Sequence, residues 1–497
     1  MSKVSELKTE LQTDYRVYNI VIDNSHPLFA WADKIAHLSC NLENAASFRI
    51  RQLMTSLQKE ETNWSENEKE VWQEIKLVNE ILAVRDVKPG HKEKTLTVPA
   101  SGVLNYEKLD LLMKHTNNPD YTAEGLPIHV AQHCLKTIAL NFKSFFEAMK
   151  VFQATPSVFL GRPQLPGYHR KGGKVSFTVS NQESVVRQNK KGHFVLKLPK
   201  TKEVLSLGTD FPMGKFKEVK VSPMYGGYKF SLIFDNGTLP SPMSDNNRKA
   251  GIDFGVNNLM AVVFNVPEVP ALIFNGRPLK AINQYFNKEH AKEMSKATTG
   301  GKNYVATPRD EVLSCWRYNS IRDYFFKVSK MFVNVCVENR IDTVILGHSS
   351  GWKQETNIGK INNQNYVAIP FNNLIEMLQW RCQREGIKVV IQEESYTSQA
   401  SFPDNDPIPV FDGTHHKYKF SGTRPNRGRY RTKDKTWINA DLNAAANIMR
   451  KYDVKSFEQY RPDFKNVVVI KHPDYWSSKP HRSRKAFLFS KSKEISL

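Results

Sequence analysis

Gly251-Ile252-Asp253-Phe254-Gly255 ends a short apolar run with an acid set between two glycines. Alone, it reads as a strand end with a turn aspartate. Two further stretches give it weight. Glu393-Glu394-Ser395-Tyr396-Thr397-Ser398-Gln399 follows the run Val389-Val390-Ile391. Asn439-Ala440-Asp441-Leu442-Asn443-Ala444-Ala445-Ala446-Asn447-Ile448 puts Asp441 just before a helical stretch, Ala444–Arg450. Capping that helix is the plainer role for Asp441, and one residue can do both jobs. Carboxylates converging from separate segments suit hard cations, because Mg²⁺ takes oxygen ligands. Two such ions about 3.5–4 Å apart can clamp a phosphodiester and activate a water. The set of three, rather than any one member, points to metal-dependent nuclease chemistry. Glu393 and Glu394 are both open as the third ligand.

Around these stretches the pattern alternates between strands and helices. Ala250–Asp253, Leu259–Phe264 and Ala271–Phe274 read as strands, the first two as a hairpin. Helices are expected over about Ala281–Ser295 and Arg309–Glu338, a buried strand over Thr343–Leu346, and an amphipathic helix through Phe371, Leu374, Ile375, Leu378 and Cys382. Such alternation argues for an α/β layer with a mixed sheet.

Upstream, Tyr15–Ile22 reads as an opening strand. Helical spacing then runs from Pro27 to Leu82 and from Tyr106 to Gln153, with one stripe through Ala131, Leu135, Ile138, Phe142, Phe145, Phe146 and Met149. Strands return at Val175–Val179, His193–Leu198, Glu218–Val221 and Tyr228–Phe234, separated by turn signals that suggest a small β-barrel. Ser241–Lys249 reads as a linker. Fold class and organisation are therefore multidomain α+β: a barrel with a helical insertion after its first strand, then the α/β layer.

The net charge is +21, from 71 basic and 50 acidic residues. A surplus spread along the whole chain points to a polyanionic partner, nucleic acid before membrane. Cys40, Cys134, Cys315, Cys336 and Cys382 form no CxxC pair and read as buried free thiols. With no secretory signal and no run of 18 apolar residues, a soluble cytoplasmic protein is expected.

The order GIDFG, a glutamate before YTSQ, then ADLNAAANI resembles the split RuvC-like nuclease of the TnpB family. These are transposon-encoded RNA-guided nucleases related to the type V CRISPR effectors. Leu126-Pro127, Ser144-Phe145-Phe146, Phe159-Leu160-Gly161-Arg162-Pro163, Asn275-Gly276-Arg277-Pro278 and Gly351-Trp352-Lys353-Gln354 resemble family sequence as well. Two departures stand out. Where most of the family has a glutamate on the strand before a leucine-rich turn, this chain has Val344-Ile345-Leu346-Gly347-His348. That resembles a branch in which the acid has moved to the neighbouring strand, which favours Glu394 over Glu393. The family's zinc ribbon is also missing: residues 400–440 hold no cysteine, and His415-His416 alone cannot build a tetrahedral site. A basic, aromatic, zinc-free insert is expected there instead, with Lys417, Tyr418, Lys419, Arg424, Arg427, Arg429, Tyr430 and Arg431.

The resemblance implies a first wedge strand (1–24), a helical recognition lobe (25–153), a wedge β-barrel (154–245), a RuvC-like nuclease carrying the first two motifs (246–398), the zinc-free insert (399–437), the last nuclease motif (438–451) and a basic tail (452–497). It implies a guide RNA and double-stranded target DNA as partners, with a short flanking motif read by the protein. Asp253, Glu394 and Asp441 are the expected catalytic residues and would bind two Mg²⁺, with Glu393 as a further metal candidate; no zinc is expected. Arg162, Arg170, Lys171, Arg187, Lys190, Lys191, Lys353, Arg427, Arg429 and Arg431 are the expected nucleic-acid contacts. A nuclease-inactive RNA-guided repressor is the alternative, but such relatives lose acids of the triad and all three are present here; a plain RNA-binding protein would not need three acids at strand ends. A tyrosine-dependent transposase is disfavoured by the lack of an HxH arrangement.

Overall fold

The structure, a computed structural model, describes residues 13–84, 95–209, 214–298, 306–348, 369–411, 418–426 and 428–473. It is a mixed α and β protein whose chain falls into two compact units, Thr13–Gly237 and Thr238 onward. Lys353, Arg427, His415, His416, Lys417 and the last 19 residues lie outside the described residues.

In the first unit the opening strand Thr13–Ile22 leads into helices Phe29–Ser56, Glu66–Ala83, Tyr106–His115 and Ile128–Ala154. Each long helical block of the sequence thus breaks into two helices. Ser65 starts the second helix with a capping box: Glu68 N–H reaches Ser65 Oγ, and the Glu68 carboxylate accepts the Ser65 amide. Of the expected stripe, Ala131, Leu135, Ile138 and Phe142 are buried, while Phe145, Phe146 and Met149 are only partly covered. The strands form two sheets. In one, Thr13–Ile22, Gly227–Thr238, Lys215–Met224 and Phe177–Ser180 lie in that order, so the first strand pairs with chain two hundred residues on. The other is Val185–Gln188, Phe194–Lys197 and Val204–Gly208. The first is mostly exposed and carries little apolar signal, and the third, which buries Leu205, is too short to stand out in the hydrophobic pattern.

In the second unit six strands line up as Lys388–Gln392, Thr343–Gly347, Lys249–Phe254, Asn258–Phe264, Ala271–Asn275 and Val467–Ile470. The first three run parallel, the next two are antiparallel hairpin partners, and the last is parallel to its neighbour. Side chains alternate across the sheet. Met260, Val262, Phe264, Leu272 and Phe274 join a core with helices Pro308–Glu338 and Phe371–Arg384. Ala261, Val263, Ala271 and Ile273 pack on the opposite face against Leu442, Ala445 and Ala446 of helix Ala440–Tyr452. The sheet is therefore covered on both faces, which explains its nearly continuous apolar strands.

Three expectations are corrected. Val467–Ile470, inside the stretch read as a basic tail, is the sixth strand. Its run of three valines and an isoleucine was a strand signal outweighed by the charge of the residues after it. Ser241–Lys249, read as a linker, is tied down: the Asn246 and Arg248 amides donate to the buried Asp342 carboxylate, and Lys249 opens a strand. Cys315 is partly exposed, whereas the other four thiols are buried; all five are free. Among the described residues no helix is long and apolar enough to cross a membrane.

Candidate active site

Asp253 lies at the C-terminal end of the central strand Lys249–Phe254, opposite Ala261 in the hairpin register. The strand gets there because Gly251 lets it touch helix Ala440–Tyr452. A Cβ at Gly251 would lie 2.5 Å from the Ala445 carbonyl oxygen and 3.0 Å from Met449 Cβ. Only glycine permits that approach.

The same helix brings Asp441. It starts at Ala440, earlier than the sequence suggested, and Asn439 rather than Asp441 is its cap. Asn439 Oδ1 accepts the amides of Asp441 (2.9 Å) and Leu442 (3.2 Å). The Asp441 carboxylate is thereby spared for the site, in the electropositive first turn of the helix. Asn258 Nδ2 donates to its Oδ2 at 2.8 Å, and Arg424 Nη2 lies 3.5 Å from its Oδ1.

Glu394 follows strand Lys388–Gln392, which pairs in parallel with Thr343–Gly347 so that Gln392 faces Gly347. Gly347 belongs to the stretch Val344–His348, which holds no carboxylate. A Cβ there would lie 3.1 Å from Glu394 Oε2 and 2.4 Å from Ile448 Cδ1. The glutamate of the neighbouring strand thus reaches over the position that lacks an acid. The turn holding it is tight. Glu394 O accepts from Thr397 N (3.2 Å) and Thr397 Oγ1 (2.7 Å), and Tyr396 sits in the left-handed region with φ 65°.

Helix Ala440–Tyr452 also fixes this turn. Asn443 Nδ2 donates to the Ala400 carbonyl (2.8 Å), its Oδ1 accepts the Phe402 amide (2.9 Å), and Asn447 Nδ2 donates to the carbonyls of Thr397 (2.9 Å) and Ala400 (2.7 Å). The two asparagines are four residues apart and share a face. They were not picked out from the sequence, though polar residues at that spacing in an alanine-rich helix were a readable signal.

The electrostatics tie the acids together. Burial pushes the Asp253 carboxyl well above its ordinary range, and the charges of Asp441 and Glu394 push it further, with Arg424 opposing. Burial and then Glu393 raise Glu394 to about 7, with Lys451 opposing. Glu393 behaves oppositely. Burial raises it, but hydrogen bonds from Lys451 and Ser395 prevail and bring it below its usual value. Its carboxylate is engaged with Lys451 Nζ and the Ser395 amide. The carboxylate charges acting on Asp253 are those of Asp441 and then Glu394.

Among the described residues, no three or more His, Cys, Asp or Glu side chains close into a metal-holding cluster. The donor set still fits a hard cation in kind: three carboxylates, no thiolate, and like-charge repulsion that a divalent ion would relieve.

Where the zinc ribbon was expected to be replaced, the chain forms a small antiparallel sheet, Thr423–Asn426, Arg429–Arg431 and Trp437–Asn439, whose last strand runs into helix Ala440–Tyr452. Tyr430 is fully buried and its hydroxyl donates to Gln399 O (2.7 Å). The Asp406 carboxylate accepts the amides of Ser401 (2.8 Å) and Ser421 (2.9 Å). This hairpin presents Arg424 to Asp441. Arg429 is exposed, and Arg431 stacks over Trp437. Arg162, Arg170, Lys171, Arg187, Lys190 and Lys191 are all exposed in the first unit. Arg162, Arg170 and Lys171 project from an irregular segment laid along helix Phe29–Ser56. Asn44 pins it by exchanging two hydrogen bonds with the His169 backbone, and His37 pins it through Gly173 O.

Residues 230–353 match a family described as a probable transposase, OrfB_IS605, and residues 371–448 match the TNB domain of Cas12f1-like proteins. No curated protein matches the chain. Among solved structures it is similar to a Cas12f1–sgRNA–target DNA complex, at 12% identity and TM-score 0.46, over 88% of this chain and 99% of that one. It is also similar to a CRISPR-Cas12f ternary complex, at 13% identity and TM-score 0.30, over 84% of this chain and 81% of that one. A Cas12i–crRNA–double-stranded DNA complex is similar at 10% identity and TM-score 0.33, over 87% and 67%. Structural likenesses this loose carry no functional weight. The two family matches cover the strand of Asp253 and the turn and helix of Glu394 and Asp441, so in these segments the chain is similar to the OrfB_IS605 probable transposases and to the TNB domain of Cas12f1-like proteins.

Proposed function

We propose that this protein is an RNA-guided DNA endonuclease whose RuvC-like site is formed by Asp253, Glu394 and Asp441. The observation that carries the reading is the convergence of three carboxylates from separate stretches of chain: Asp253 on the central strand, Asp441 on the helix that Gly251 seats against that strand, and Glu394 over the adjacent strand at Gly347. The sheet supports it too: an antiparallel meander of three strands followed by two parallel strands, with the acids at strand and helix ends, is an RNase H-like arrangement. In this reading the first unit is the wedge and recognition lobe, and its exposed arginines and lysines hold guide RNA by its phosphates. Base pairing then reads the target while the protein reads backbone shape and a short flanking motif.

Asp253, Glu394 and Asp441 would hold two Mg²⁺, which when bound would supply an activated water and stabilise the leaving 3′ oxygen. The chain's own groups prepare that chemistry. Asn258 orients the Asp441 carboxylate, the Asn443–Asn447 pair fixes the Glu394 turn, and Arg424 offers a cation to a substrate phosphate beside Asp441. Glu394 is the third ligand in this assignment, since Glu393 is occupied by Lys451.

The test uses protein purified with co-expressed RNA. That RNA is sequenced, and a plasmid library matching it is offered with Mg²⁺ to the wild type and to Asp253→Ala. A defined RNA with matched, Asp253-dependent cuts is the expected result. A defined RNA with target binding but no cutting would turn the reading into a repressor. Heterogeneous RNA without target preference would end the guided reading altogether.

A further inference from the structure

Helix Ala440–Tyr452 carries Asp441 in its first turn and Lys451 in its last. The Lys451 side chain is only 6% exposed. A lysine so placed needs acceptors, because an unpaired buried ammonium is strongly unfavourable. It has two, and they flank Glu394. Its Nζ donates to Glu393 Oε2 and, at 3.0 Å, to the Ser395 carbonyl. Glu393 Oε1 in turn accepts the Ser395 amide at 2.6 Å. One ammonium thus closes a ring through the residues on either side of Glu394, while that residue's carboxylate lies beside Gly347, on the strand next to that of Asp253. Asn443 and Asn447 hold the later part of the turn, from Thr397 to Phe402, but the part next to the acid is held by Lys451. The brace and Asp441 share one rigid helix, which Gly251 seats against the strand of Asp253.

We propose that Lys451 is a positioning residue that sets the Glu394 carboxylate relative to Asp253 and Asp441, so that the Glu393–Lys451 pair works as a brace and Glu393 is not a metal ligand. This rests on the nuclease reading above. Groups that orient a metal-binding carboxylate matter to the chemistry nearly as much as the carboxylate itself. Glu393 is 38% exposed, so water can replace the lysine and the fold should survive its loss.

The test compares wild type, Lys451→Met, Lys451→Arg, Glu393→Gln and the Lys451→Met/Glu393→Gln double variant, each loaded with its RNA. For Lys451→Met, we expect cleavage rate to fall roughly 10–100-fold and half-saturating Mg²⁺ to rise, with target DNA affinity and melting temperature little changed. Lys451→Arg should recover much of the rate. Glu393→Gln should be impaired in the same direction, and the double variant should be no worse than the poorer single, since both act through one brace. In metal-free protein, hydrogen exchange should quicken at Ser395–Thr397 in Lys451→Met and stay unchanged across Lys249–Phe254. An active wild type with Lys451→Met unchanged in rate, Mg²⁺ dependence and exchange overturns the brace alone. So does a loss that tracks melting temperature and is not recovered by arginine, or Glu393→Gln as inactive as Asp253→Ala. A wild type that cuts no matched DNA overturns the nuclease reading first, and the brace with it.

Discussion

At Gly251 a hydrogen atom stands where any other side chain would strike the Ala445 carbonyl. The glycine before Asp253 is thus a packing requirement, and the acid's place follows from it. Gly251→Ala forces strand and helix apart. We expect a loss of about 1–3 kcal/mol, typical of overpacking, together with impaired cleavage, because Asp253 and Asp441 separate along with their elements. A thermal melt matching wild type would contradict the contact. Gly347 shows the complementary case: the absence of a side chain at this strand end leaves the space beside which the Glu394 carboxylate lies. Asp441 carries the same lesson in another form. Its spacing before an alanine-rich helix suggested a cap, but a cap one position outside the helix, Asn439, does that work and leaves the aspartate carboxylate to Asn258 and Arg424.

At the scale of elements, helix Ala440–Tyr452 joins the three acids. Asn443→Ala and Asn447→Ala each leave buried backbone groups of the Thr397–Phe402 turn without partners, so each should cost about 1–3 kcal/mol. Their effect on cleavage should exceed that of Asn439→Ala, which loses a cap worth about 1 kcal/mol. Chemical denaturation and cleavage rates on the same samples decide it; equal cleavage losses for all three would mean that the turn is held by other contacts. In the first unit, Glu68 offers a pH test. Hydrogen bonds from Thr55, the Ser65 amide and Lys59 outweigh burial and hold its carboxyl at about 2, against an ordinary 4.5. A carboxyl depressed by folding adds stability above its unfolded value, and that stability fades as pH falls toward the folded value. Glu68→Gln should therefore melt roughly 2–4 °C lower than wild type at neutral pH. The gap should close between about pH 4.5 and about pH 2. A gap independent of pH would remove the charge from the explanation.

For the whole molecule, the net charge of +21 sets how binding answers to salt. If Arg162, Arg170, Lys171, Arg187, Lys190 and Lys191 each neutralise one phosphate, RNA affinity should fall on the order of 10²–10³-fold between about 50 and about 200 mM salt. Replacing all six by glutamine should flatten the log–log slope by roughly four to five. Filter binding across a salt series measures both; an unchanged slope in the sextuple variant would place the RNA elsewhere.

Most strands and helices of the second unit were legible because apolar runs, helical spacing and turn residues are local signals. Asp253, the Glu393–Glu394 pair and Asp441 could be singled out as candidates for the same reason, since acids at the ends of apolar runs are a pattern in the chain itself. Hidden were features that depend on residues far apart in sequence. Val185–Gln188 is mostly exposed, and the alternation of Leu205 and Leu207 in Val204–Gly208 is too brief to stand out. Val467–Ile470 was masked by its charged neighbours, and it becomes a strand because Ala271–Asn275 presents an edge to pair with. The choice between Glu393 and Glu394 was beyond any local rule, because both follow the same strand. It is Lys451, 58 residues on, that engages Glu393, and Gly347 on the adjacent strand that makes room for Glu394. Local patterning was enough for most strands and helices of the second unit and for singling out the acids as candidates; which glutamate turns toward Gly347 rests on long-range packing, because it depends on which distant side chain claims the other.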